Sequence, residues 1–354
     1  MGMYMVIINI FQREKSMNYQ ELLNRAREKM APNCRVCREC NGIACKGEIP
    51  GTGGKGNGNA FKVCIDFLAS VKINMDTIYK NEGQDTSVSL FGRSFKYPFF
   101  AAPIGGMNFN YNGAITEAEY DEAIVQGTIR AGNAAFTGDG AQDSLFFDSL
   151  PIIKEAEGIA VPTIKPWKND KALEKIKMIE EVNAMAFAMD IDSAGLINLA
   201  LAGKPVSAKS AEELKELTDS TEIPFIVKGV MTAKGAEKAL QAGAYGIVVS
   251  SHGGRVLADA PATCAMLPEI REAVGDKLKI FVDGGIRSGA DVFKAIALGA
   301  DAVLIGRPYV IAAFGGGIEG VELYTEKIGA ELRETMIMTG CKNISDITRD
   351  KIIV

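Results

Sequence analysis

One histidine, His252, occurs in this chain of 354 residues, within VVSSHGGRVLAD (248–259), behind an apolar run and directly ahead of Gly-Gly-Arg. Imidazole is the side chain whose ordinary pKa lets it accept a proton near neutral pH. Arg255 follows three residues later, and its planar guanidinium can grip a carboxylate through two parallel hydrogen bonds. A base and an anion clamp in one turn suit proton removal from an anionic substrate; the competing reading is a histidine kept for packing. A carboxylate at the second ring nitrogen would orient the imidazole and stabilise the cation it forms, and Asp192 is the candidate. Lys228 ends the apolar run PFIVKGV. An ammonium in such surroundings needs a negative partner, either a bound group that becomes anionic or a strand-end carboxylate such as Asp192.

These residues require a scaffold that brings strand ends together. From residue 96 the sequence alternates short apolar runs with stretches of helical spacing. The runs are FFAAPIG (99–105), AAFTGD (134–139), AVPTIKP (160–166), AMAFAMDID (184–192), PFIVKGV (224–230), GIVVSSH (246–252), KIFVDGG (279–285) and AVLIGRP (302–308). Uniformly apolar strands belong to a parallel sheet covered on both faces. Eight strand-then-helix units predict an α/β fold, a (β/α)8 TIM barrel over residues 96–354, preceded by an N-terminal helical, cysteine-rich extension over 1–95. A doubly wound sheet is the rival architecture. In the barrel, Asp139, Lys165, Asp192, Lys228, His252, Arg255, Asp283, Arg287 and Arg307 stand at strand ends and are expected to converge on one pocket. The loops DGGIRSG and GRP after strands 7 and 8 combine glycine, arginine and a helix start near Ser288, a pattern for holding phosphate.

Composition narrows the classes. A net charge of -5 argues against nucleic acid as partner. The apolar stretch Met3 to Phe11 is far short of the roughly 20 residues that span a bilayer and lacks the layout of a secretory signal, so a cytoplasmic protein with no membrane attachment is expected. Met17 is an alternative start, because MNYQELLNRAREKM reads as a self-contained amphipathic helix.

Four of the seven cysteines, Cys34, Cys37, Cys40 and Cys45, fall in CRVCRECNGIAC. Their C-x2-C-x2-C-x4-C spacing suggests an iron-sulfur cluster, a zinc site, or unligated thiols acting as a redox pair. The glycine-rich stretch that follows, GEIPGTGGKGNGNAFKVC, reads most simply as a flexible connector, with a loop over the barrel mouth as the alternative.

Residues 226–347 resemble the FMN-dependent 2-hydroxy acid oxidases and dehydrogenases, the family of glycolate oxidase, lactate oxidase and flavocytochrome b2. IVKGVMTAKGAEKALQAGAYGIVVSSHGGR, PATCAMLPEIREAVGDKLKIFVDGGIRSGADVFKAIALGADAVLIGRP and ELRETMIMTGCKNISDI carry the likeness. It implies FMN at the strand ends, with His252 as base, Asp192 orienting it, Arg255 on the substrate carboxylate and Lys228 beside the flavin N1–C2 carbonyl. Ala102 and Pro103 correspond to backbone against the ring. Ser250, Asp283, Gly285, Arg287, Gly306 and Arg307 correspond to the remaining cofactor contacts, and Thr163 stands where the family usually has a glutamine. The chain departs from the pattern in three places: Ser251 replaces an asparagine, Lys165 takes the place of a substrate-contacting tyrosine, and DIDSAGLINLALAGKP lacks the second substrate arginine, which leaves two readings open: Lys165 does that arginine's work, or the substrate is not a short 2-hydroxy acid.

The expected function is FMN-dependent oxidation of a lactate- or glycolate-like 2-hydroxy acid to the 2-oxo acid, by a homo-oligomer with an unspecified electron acceptor. Two other classes compete: an FMN-dependent isomerase of the isopentenyl-diphosphate type, and a flavin-holding redox sensor switched by the cysteines.

Overall fold

The computed structural model describes residues 17–204 and 206–354. The segment Met3 to Phe11 and the question of Met17 as a start lie outside or at the edge of these residues. The eight expected strands all form: β1 Phe99–Ala101, β2 Ala135–Thr137, β3 Ala160–Ile164, β4 Phe187–Asp190, β5 Phe225–Val230, β6 Gly246–Val249, β7 Lys279–Asp283 and β8 Ala302–Ile305. They pair in sequence order, in parallel, and close where β8 meets β1 through Val303–Phe99, Leu304–Phe100 and Ile305–Ala101. Closure excludes the doubly wound sheet.

Side chains alternate along each strand between the barrel interior and the surrounding helices. Phe100, Phe136, Val161, Ala188, Ile226, Val248, Phe281 and Leu304 fill the interior. Phe100, Phe136 and Phe281 meet edge to face at 6.1–6.3 Å between ring centres. Each fully buried phenylalanine contributes about 1.5–3 kcal/mol. The hairpin Val88–Leu90 to Arg93–Phe95 stops the lower end, turning at Phe91 and Gly92 with φ 54° and 70° and stacking Phe91 on Phe281 at 5.9 Å. The barrel is therefore packed below and open for chemistry only at the C-terminal ends of its strands.

The N-terminal helix Tyr19–Met30 forms as its pattern predicts, with a capping box between Asn18 and Glu21. Its buried face, Leu22, Ala26 and Met30, packs on the C-terminal helical segment Arg307–Thr339, which is broken at Gly317. The following glycine-rich stretch is not a flexible connector. It runs across the barrel mouth and is bonded there: Lys55 Nζ donates to the carbonyls of Gly195 (3.2 Å) and Val256 (2.9 Å), and Asn59 Nδ2 to Asp259 (2.9 Å). Many glycines suggest freedom, but here they hold left-handed turns, with φ of 79°, 75°, 58° and 71° at Gly42, Gly47, Gly56 and Gly58. The helix Asn59–Ser70 then descends beside the mouth.

Candidate active site

The polar ring at the top of the barrel follows from strand phase. β3 turns Val161 inward, so Thr163 and Lys165 follow it; β4 turns Ala188 inward, so Asp190 does too. Lys165 Nζ lies 2.6 Å from Asp190 Oδ2 and 3.2 Å from Ser193 Oγ. Lys228 Nζ donates to Ser250 Oγ at 3.0 Å, and that hydroxyl donates to Asp283 Oδ2 at 2.8 Å. Burial works against the Lys228 charge, but Asp283, Asp192 and Asp190 outweigh it and hold the ammonium pKa above its ordinary value.

Beyond Asp190 the chain leaves the strand as a tight turn, Ile191–Gly195. This turn, not a longer strand, brings Asp192 to His252, with 2.9 Å between Asp192 Oδ1 and His252 Nδ1. Gly229 makes room for it: a Cβ there, at φ 100°, would lie 2.6 Å from the Asp192 Cβ. The Nδ1 contact leaves Nε2 for the cavity, which His252 lines. Burial, then the charges of Lys228 and Lys165, push the His252 pKa well below 6.5, so the ring is neutral at pH 7. Burial raises the Asp192 carboxyl.

Gly-Gly-Arg after the histidine now has a steric reason. His252, Gly253 and Gly254 take φ of 55°, 63° and 78° in succession, a conformation costly for the histidine, at about 1–3 kcal/mol. It is held by the bond from His252 N–H to Ser250 Oγ at 3.0 Å. A Cβ on Gly253 would meet Arg307 Nη1 at 2.7 Å, and one on Gly254 would meet Phe61 N at 2.6 Å. Arg255 then reaches the cavity with Nη1 on the Gly51 carbonyl (2.5 Å) and Nη2 on Asn110 Oδ1 (3.0 Å). Burial lowers its pKa to about 10, which leaves it charged at neutral pH.

The cavity measures about 280 Å³. Ala102, Pro103 and Ile104 give it an apolar wall, and Lys228, Asp283, Gly285, Arg287, Gly306 and Arg307 line it as well. Arg287 Nε donates to the Cys40 carbonyl (3.1 Å), and Arg307 Nε to that of Thr52 (2.7 Å). Among the described residues, none of the guanidiniums of Arg255, Arg287 and Arg307 has a carboxylate within ion-pair distance. Three unneutralised cations around one cavity mark it for anionic ligands.

Several sequence expectations need adjustment. Asp139 lines the cavity wall, but its carboxylate is consumed by the N–H of Lys165 (2.9 Å), Trp167 Nε1 (2.7 Å) and Lys175 Nζ (3.1 Å). It is a buried structural knot. Asp139→Asn is expected to lower stability by about 3–5 kcal/mol by leaving Lys175 charged and unpaired; a denaturant midpoint equivalent to less than about 1 kcal/mol of loss would contradict this role. Ser250 and Thr163 do not line the cavity: Ser250 bridges Lys228 to Asp283, and Thr163 is buried with its hydroxyl unpartnered. Lys165 is in the cavity wall, but Asp190 already neutralises it. Sequence reasoning missed Asp190, although AMAFAMDID places it in phase with Ala186 and Ala188. It also missed Asn110, which nothing local distinguished. Among the described residues no three cysteine sulfurs lie within 4.8 Å of one another. A tetrahedral zinc site needs sulfurs about 3.8 Å apart, so the zinc expectation is not met.

A closed eight-stranded barrel whose strand-end cavity sets a histidine–carboxylate pair and an arginine against an apolar wall and two further arginines defines an α/β-barrel enzyme that holds a phosphate-bearing cofactor. A family model described as FMN-dependent dehydrogenase matches residues 169–354, just over half of the chain, and the chain belongs to that family. It is 44% identical over 143 residues to a peroxisomal (S)-2-hydroxyacid oxidase of Arabidopsis thaliana, covering 40% of this chain and 39% of that protein. It is 47% identical over 135 residues to an L-lactate oxidase of Lactobacillus jensenii, covering 38% and 33%. These matches span less than half the length of either relative. Among solved structures, mandelate oxidase with the C4a-OH-FMN adduct superposes with a TM-score of 0.76 at 25% identity, covering 93% of this chain and 97% of that one.

The residues present fit FMN. Asp283 lines the cavity and its buried Oδ1 has no partner within the protein, a costly arrangement that a bound polyol would relieve. Ala102 and Pro103 would carry the ring system, Asp283 the ribityl chain, and Arg287 and Arg307, with the glycine loops at Gly285 and Gly306, the phosphate.

Proposed function

We propose that this protein oxidises a small 2-hydroxy acid to the 2-oxo acid. The observation that carries the reading is the Asp192-backed His252 and the carboxylate-free Arg255 lining one cavity with the apolar wall of Ala102 and Pro103. FMN, when bound, supplies the two-electron acceptor. Arg255 binds the substrate carboxylate. His252 Nε2 accepts a proton from the substrate, and Asp192 stabilises the imidazolium that results. Lys228, held protonated by its carboxylate neighbours, provides a fixed positive charge at the inner wall.

The cavity also points to the kind of acid. Lys165 is spent on Asp190, which leaves Arg255 as the carboxylate clamp, while Phe109, Leu145, Leu196 and Leu199 line the same cavity. A monocarboxylate with an apolar side chain fits better than a dicarboxylate. The test is steady-state turnover of a set of small 2-hydroxy acids, each beside its carboxamide, with ferricyanide as acceptor and trapping of the 2-oxo product. The reading expects an apolar 2-hydroxy acid to turn over and its amide to be at least about 30-fold slower, in line with loss of a buried charged contact. Equal rates for acid and amide, or no 2-oxo product from any acid, would overturn it.

The histidine sets the pH dependence. His252 must be neutral to accept a proton, and its pKa lies well below 6.5. The acid limb of the kcat/KM profile is therefore expected below pH 6.5, with activity retained between pH 7 and 6.5. A limb at 6.5 or above would contradict the burial argument.

A further inference from the structure

The thiols of Cys34, Cys37, Cys40 and Cys45 have no part in the chemistry above, and none is in a disulfide. All four nonetheless line one small cavity, with Met30, Ala44 and Ile311 as its apolar walls. Arg307 and Tyr111 line this cavity and also the larger one at the barrel mouth. One layer of side chains separates the two. We propose that the four cysteines hold a [4Fe–4S] cluster against the wall of the cofactor cavity.

Three observations support this. The four cysteines line one void, and no three of their sulfurs are within 4.8 Å of one another. A single tetrahedral ion would need about 3.8 Å, whereas a cubane spreads its four thiolates farther apart because each binds a different corner. Charge is complementary as well. A cluster held by four thiolates is anionic, and the guanidiniums of Arg287 and Arg307 reach it without a carboxylate partner. Arg287 Nη2 lies 3.5 Å from Cys40 Sγ, and Arg307 borders the same void. Finally, the Val36 N–H points at Cys34 Sγ at 3.4 Å, the kind of hydrogen bond to sulfur that stabilises cluster ligands. The glycine turns that wrap the loop over the barrel mouth thus have a second use: they fold a C-x2-C-x2-C-x4-C run around one void.

The experiment is anaerobic purification of the full chain from cells supplied with iron, followed by iron, sulfide, zinc and flavin analysis of one sample. About four irons and four sulfides per chain are expected, with a broad absorption near 400 nm that dithionite bleaches and a paramagnetic signal in the reduced protein. Cys37→Ser and Cys45→Ser should each lose most of the iron and that signal, while Cys341→Ser, a buried cysteine outside the void, should keep both. Stoichiometric zinc without iron, four titratable thiols without iron, or full iron retained in a Cys37→Ser/Cys45→Ser double variant would each overturn the proposal. Flavin is read separately: iron without flavin supports the cluster and counts against FMN binding, while flavin without iron removes the cluster alone.

Discussion

Replacing His252 with alanine is expected to slow substrate-driven reduction of the flavin by about 10²–10⁴-fold, the usual contribution of a positioned general base, with FMN content unchanged. The separation of effects follows from the geometry. His252 touches Asp192 through one ring nitrogen and the cavity with the rest of its ring, while the expected phosphate and polyol contacts are made by other strands. The left-handed backbone at residue 252, φ 55°, is not eased by alanine, which keeps the Cβ, so a thermal melt of the variant serves as the folding control. Rapid mixing under anaerobic conditions measures the rate directly. A variant that reduces its flavin at the wild-type rate would remove His252 from the chemistry.

Arg255→Met is expected to be almost as damaging but through a different parameter. Truncating one partner of a buried, hydrogen-bonded charge pair costs about 2–5 kcal/mol, or roughly 30- to several-thousand-fold in kcat/KM. Lys165 does not compensate, because Asp190 already neutralises it. Arg255→Lys should recover only part of the loss, since an ammonium restores the charge without the two-pronged geometry. Arg255 also holds the Gly51 carbonyl, so the control is flavin content: it should stay at the wild-type level in Arg255→Lys. Saturation kinetics with an acid, compared across the two variants, gives the split. Unchanged kcat/KM in the methionine variant would show that the carboxylate binds elsewhere.

Much of the barrel was readable because its strands carry an unusual signal: runs apolar on both faces, each ending in Gly, Asp or Lys, spaced by helical stretches. The same regularity made strand ends, and so His252, Lys228, Asp283 and Arg307, identifiable as one ring. Asp190 escaped because AMAFAMDID offers two aspartates in the same phase, and only the turn at Ile191–Gly195 decides that Asp190 meets Lys165 while Asp192 meets His252. Asp139 looked like a site residue for the same reason that makes it structural: a strand-end carboxylate can face a ligand or its own neighbours, and Trp167 and Lys175 come from sequence too distant to pair by eye. The segment from Cys34 to Phe61 was the least legible. Glycine-rich sequence has no periodicity, and its conformation is set by long-range partners, Gly254, Val256 and Asp259, whose contacts a linear pattern does not encode.

Anaerobic mixing of the FMN-loaded protein with a panel of 2-hydroxy acids, followed by the visible flavin band, tests the central claim most directly. At least one apolar 2-hydroxy acid should bleach the band in a single turnover and leave one equivalent of the 2-oxo acid. A band that persists with every acid, in protein shown to contain FMN, would mean that the imidazole and guanidinium over this cavity serve some other reaction.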